Sequence, residues 1–184
     1  MEKIVVFNKD KEVLFTIEGV VSATPSLDSV TYQSETEGVG KLKGLEGGYI
    51  ILSQDADEAV LDYQEVIEYT KQLKIEELSK ECNDSIMEGF EYKEDLFPYS
   101  IEDQQNLNQQ LAMCSVIAPL EPIEVKTIEG NKKFDMYTFI DICQAGAAHR
   151  KKKQEIFQNA KQQILNTSYE SVQELKTVYF SFDG

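Results

Sequence analysis

The chain has no tryptophan, one histidine, four prolines and three cysteines. With His149 as the only imidazole, any Ser-His or Cys-His catalysis would have to run through that residue. Cys82, Cys114 and Cys143 are odd in number and widely separated. They form neither a CxxC metal knuckle nor a disulfide framework, so the expectation is buried free thiols in a reducing compartment. Basic residues are scarce: 18 Lys and Arg stand against 33 Asp and Glu, a net charge of -15. Such a surface argues against nucleic acid as a main partner and favours solubility at high local concentration. No apolar run approaches the ~20 residues needed to span a bilayer, so no membrane partner is expected. The segment Met1 to Asn8 has no basic region followed by an apolar stretch, from which synthesis in the cytoplasm without a secretory leader is expected.

The common chemical motifs are also missing. Gly38, Gly40 and the run Gly44 to Gly48 form neither GxGxxG nor a Walker loop leading into a helix. Acids cluster at Asp55, Asp57 and Glu58 and at Glu76 and Glu77, without the glycine and terminal glutamate of an EF-hand loop. They read as solvated helix positions. No metal, no cofactor and no enzymatic activity are expected.

Periodicity sets the organisation. Ile4-Val-Val-Phe7 and Val13-Leu-Phe-Thr-Ile17 flank a polar turn and read as a β-hairpin, with Gly19 ending its second strand. Ser26 to Ser34 is a weaker strand, Glu35 to Gly48 a glycine-rich loop or turn, and Tyr49-Ile-Ile-Leu52 a short apolar strand. Apolar residues then recur at Val60, Tyr63, Ile67 and Thr70 and, after a slip of phase, at Ile75, Leu78, Cys82 and Ile86. This spacing predicts an amphipathic helix opened by the acids at Asp55 to Glu58 and closed by Gly89. Short hairpins follow around Glu94-Asp95 and around Glu129-Gly-Asn131. A long helix is predicted from Asp135 through Ile164, then a short helix from Ser168 or Ser171 and an apolar tail or strand at Val178 to Phe182. The expected class is α+β: a small N-terminal antiparallel β-module for docking over 1–54, a long spacing or oligomerising helix over 55–89, and a C-terminal helical domain with β-hairpin inserts over 90–184.

The most informative stretch joins the hairpin around Glu94-Asp95 to the helix predicted from Ser100 to about Val116, beyond which Pro119 and Pro122 prevent continuation. Ser100 stands at an N-cap position, and Asp103 is placed to reach back to the N–H of the cap. Ile101, Gln104, Leu107 and Leu111 form the inward stripe, with Asn106 and Gln110 adding amides. Further on, Arg150, Lys151, Lys152 and Lys153 form the only basic run, a candidate inter-subunit patch against the acid-rich N-terminal half. Between them, Ala145-Gly-Ala-Ala148 removes bulk and admits a close neighbour.

From Lys80 onward these residues resemble an uncharacterised domain of tail-associated proteins in bacteriophages and prophages of Gram-positive bacteria. The likeness rests on Cys82-Asn83, Ile86, Gly89-Phe90, Tyr99 and Asp103-Gln-Gln-Asn-Leu107, then on Tyr137 to Ile142 with His149, and on the closing segment Ile164 to Leu175. It covers the C-terminal part of the chain only. The hairpin at Glu91 to Asp95 is shorter than in that domain, and Tyr179 or Phe180 stands where it often has tryptophan. The resemblance implies a structural virion protein of the tail or baseplate that connects a receptor-binding or fibre component to the tail. Its partners would be other tail or baseplate proteins and further copies of itself, with Ser100, Asp103, Gln104, Asn106, Leu107 and Leu111 as structural motif and possible interface. The alternative is a tail or tail-fibre assembly chaperone that is not retained in the virion.

Overall fold

A computed structural model describes residues 1–116 and 121–182. The architecture is α+β: a five-stranded antiparallel sheet, a long helix, and then helices carrying two small β-hairpins. By contacts the chain forms two compact units. One holds Met1–Leu78 and Ala160–Ser181, and the other holds Ser79–Asn159 together with Phe182. Two of the boundaries, 78/79 and 159/160, fall inside the two longest helices.

The first unit is built on strands β1 (Glu2–Phe7), β2 (Val13–Pro25), β3 (Ser29–Ser34), β4 (Gly38–Lys43) and β5 (Tyr49–Ser53), in the order β4-β3-β2-β1-β5. β1 is buried almost throughout because both of its faces are covered, Ile4 and Val6 by the core and Lys3 and Phe7 by Glu58 and Tyr63, and both of its edges are paired, Ile4 to Ile17 on one side and to Ile51 on the other. Gly19 does not end β2 as expected. The register shifts between Ile17 and Val20, a bulge that lets one long strand leave β1 and continue against β3. The glycine-rich segment read as loop likewise contains an edge strand, β4, paired residue by residue with β3. Its glycines obscure a period-two alternation in which Gly40 and Leu42 are half-buried while Val39, Lys41 and Lys43 are exposed. Ile4, Val6, Ile17, Val30, Tyr32 and Tyr49 form the core with Leu73. The hydroxyl of Tyr49 accepts from the Ser26 N–H at 3.0 Å and donates to the Ser26 carbonyl at 2.7 Å, which fixes the β2–β3 turn. Burial pushes this phenol up to about 12.

Helix α1 (Tyr63–Met87) starts later than the acids at Asp55 to Glu58 suggest. Asp57 caps only a single 3-10 turn, Glu58–Val60, whose Val60 is exposed. The α-helix itself is opened by Asp62 and Glu65. Asp62 accepts from the Gln64 N–H at 3.0 Å, and Glu65 accepts from the Asp62 N–H at 3.3 Å. Glu58 is spent on the buried Lys3, 2.9 Å away, and on the Thr16 hydroxyl.

The second unit adds a hairpin of β6 (Phe90–Tyr92) and β7 (Asp95–Phe97), then α2 (Ile101–Val116), a hairpin of β8 (Ile123–Thr127) and β9 (Gly130–Phe134), and α3 (Met136–Asn166). The β8–β9 turn is Ile128-Glu129, one residue earlier than expected, because Gly130 pairs with Thr127. Asp135 caps α3 by accepting from the N–H groups of Tyr137 and Thr138. In the first unit Ser171 caps the short α4 (Val172–Lys176). Val178 to Phe182 is not a strand; Phe182 is buried and Tyr179 exposed. Pro119 lies outside the described residues.

Candidate functional site: the α2 helix start and its groove

The segment after β7 turns into α2 through Pro98, Tyr99 and Ser100. The Asp103 N–H donates to Ser100 Oγ at 3.2 Å, and the Ser100 N–H donates to Asp103 Oδ2 at 3.1 Å. This reciprocal pair is a capping box, with aspartate in the place where glutamate is usual. The Ser100 hydroxyl donates to the same carboxylate at 2.6 Å, and Lys126 of β8 donates to its other oxygen at 3.1 Å. Burial works to raise the Asp103 carboxyl, but the Ser100 hydroxyl, Lys126 and the Ser100 N–H together hold it below the usual range. One carboxylate thus closes the helix end and ties α2 to the β8–β9 hairpin. Gln104 donates to the Tyr99 carbonyl at 2.9 Å, which satisfies the turn.

Leu107 is buried, Leu111 half-buried, and Asn106 and Ile101 exposed. Ile101 therefore leaves the stripe predicted for it, since the first turn faces solvent while Asp103 faces in. Between α2 and β8 lies an open groove of about 510 Å³. Its base is Phe97, Leu107 and Val125, and its walls include Asn106, Gln109, Met113 and Lys126. The sequence singled out Asp103, Asn106, Leu107 and Gln110, but it carried no signal that α2, with Gln109 and Met113, would stand opposite β8.

Beside this site, Phe90 stacks on Phe97 at 5.3 Å and meets Tyr99 edge-on at 5.1 Å. His149 of α3 approaches both Phe90 and Tyr99, and Gly146 makes room, because a Cβ there would lie 2.9 Å from each of these rings. The expectation that Ala145 to Ala148 admits a close neighbour is met at this glycine. His149 is half-buried, with Nε2 3.3 Å from the Ile86 carbonyl, and burial lowers its pKa below the ordinary value.

The basic run does not form one surface. Arg150, Lys151 and Lys152 are exposed, whereas Lys153 is buried and donates to the Phe182 carbonyl. Consecutive helical residues point about 100° apart, so four in a row cannot share a face. Of the thiols only Cys82 is fully buried, donating to the Lys153 carbonyl at 3.5 Å; Cys114 and Cys143 are half-buried. Burial pushes Cys143 up to about 11, helped by the neighbouring Cys114. Among the described residues no group of three or more His, Cys, Asp or Glu side chains could hold a metal ion, and no helix is long and apolar enough to cross a membrane. No protein-family model, curated protein or solved structure matches the chain.

Proposed function

We propose that the chain is a non-catalytic structural protein of a bacteriophage tail or baseplate, made in the host cytoplasm and built into the virion. There it would connect a receptor-binding or fibre component to the tail through contacts with other tail proteins and with further copies of itself. Nucleic acid and membrane play no part in this reading, because the net charge of -15 repels phosphate.

The observation that carries the proposal is how the Asp103 to Leu107 element is used. Its aspartate, first glutamine and leucine are spent on the helix cap, the Tyr99 carbonyl and the core. A motif employed in this way maintains a shape for a neighbour to recognise. That suits the tail-associated resemblance better than a reaction centre would. The assembly-chaperone reading draws on the same acidity and is the second choice.

Native mass spectrometry of the purified chain tests the oligomeric part. Trimers or hexamers are the expected species. A strict monomer across micromolar concentrations would remove self-association from the proposal.

A further inference from the structure

The first half of β2 is paired on one side only. The Phe7 N–H donates to the Gly48 carbonyl at 3.0 Å and the Gln54 N–H to the Met1 carbonyl at 3.2 Å, so the odd-numbered residues of β1 turn their backbone groups toward β5. The even-numbered ones turn toward β2, and the next residue, Asn8, keeps that direction by donating to the Glu12 carbonyl at 2.9 Å. Ile17 and Phe15, opposite Ile4 and Val6, therefore spend their backbone groups on β1, and Thr16 between them points its N–H and carbonyl the other way. β3 covers that side only from Val20 onward, where the Glu35 N–H reaches the Gly19 carbonyl at 2.9 Å and the Ser34 hydroxyl donates to the Glu18 carbonyl. Among the described residues no bond reaches the Thr16 N–H or carbonyl. Open edges are ordinarily blunted by lysine or proline. Val13-Leu-Phe-Thr-Ile17 holds neither, and its Val13, Leu14 and Phe15 are exposed.

The same residues line an open cleft of about 450 Å³. The register shift between Val6 and Phe7 makes Leu14 an extra residue, so Leu14 and Phe15 both reach the cleft, together with Val6, Leu42 and Leu45. Lys9 and Lys43 also line it. Both are exposed, and among the described residues neither ammonium has an ion pair or a hydrogen bond, while Glu46 is the one acid in the lining. We infer that this cleft docks an extended segment of a partner protein, which pairs as a strand with β2 at Thr16, places one apolar side chain beside Phe15 and Leu42, and brings an acidic residue to Lys9 and Lys43. Strand addition takes its affinity from main-chain bonds and its selectivity from pockets for alternate side chains. The charge preference is local: two free ammonium groups against one carboxylate, all on residues of the cleft itself. The inference concerns this edge alone and holds whichever assembly the chain serves.

The test is selection of a random library of peptides about ten residues long against the full chain, followed by fluorescence anisotropy and amide hydrogen exchange with the enriched sequences. The expected peptides carry an apolar residue beside Asp or Glu, and their binding slows exchange of the Thr16 N–H. Lys9→Glu/Lys43→Glu should weaken them at least about tenfold, since like charges then meet. The same variant should recover affinity for peptides whose acid is replaced by lysine, a reversal that misfolding cannot produce. Methylating the peptide nitrogen that faces the Thr16 carbonyl should abolish binding. Leu14→Asp puts a charge into the cleft from an exposed position, so with an unchanged melting curve it serves as the blocked control. Four outcomes overturn the inference: enrichment no greater than on the Leu14→Asp chain, equal binding to the charge-reversed variant, unchanged exchange at Thr16, or a dimer dissociated by Leu14→Asp in which a second copy covers Thr16 and excludes peptide.

Discussion

At the scale of single residues, Asp103 serves two elements at once. It completes the Ser100 cap and pairs with Lys126, so Ser100→Ala should cost about 1 kcal/mol, measurable by urea unfolding. Its carboxyl is held below the unfolded value of about 3.9. A depressed acid contributes stability that is present above the unfolded pKa and lost as pH falls through the folded one. Wild type should therefore exceed Asp103→Asn in stability at neutral pH, with the gap closing in strong acid. A gap that stays constant down to pH 3 would show that the charge on Asp103 is not what stabilises the helix start. His149 is lowered for a different reason, burial against Phe90 and Tyr99. Its unfolded form takes up a proton first, so stability is lost as pH drops below about 6.5 and levels off beneath the folded pKa. His149→Gln should lose less stability than wild type between pH 7 and 5. An equal loss would assign the acid sensitivity to other groups.

At the scale of elements, the join between α1 and the β6–β7 hairpin depends on one backbone conformation. Gly89 has φ +105°, and a Cβ there would lie 2.4 Å from the Phe97 carbonyl oxygen. Gly89→Ala should destabilise the second unit by roughly 1–3 kcal/mol, and a thermal melt within a degree of wild type would contradict that. On α2 the two leucines are unequal. Leu107→Ala removes a buried side chain and should cost about 2–5 kcal/mol, and the half-buried Leu111 clearly less; equal losses would contradict this difference in burial. The same contrast shows what the sequence could reveal. Leu107, the Ser100–Asp103 cap, the hairpins and the long helices were legible because period and capping chemistry are local. The exposure of Ile101, the burial of Lys153 and the course of β2 through Gly19 were not, since each depends on what packs opposite. The groove was half legible. Asn106 drew notice as an amide on a helix start, but Lys126, which lines the groove with it, lies on a different hairpin, and no spacing in the chain reports that they share a wall.

At the scale of the whole molecule, the five-stranded sheet, the long helix and the hairpin-bearing helices form a scaffold whose most distinctive residues are spent on holding its shape. The proposed role makes this chain a fixed part of a particle. Quantitative mass spectrometry of purified particles, from cells expressing the chain with its neighbouring genes, tests it most directly. The expected result is a small constant copy number per particle in multiples of three or six. Abundance in the lysate with none in the particle would contradict it and leave the assembly-chaperone reading in its place.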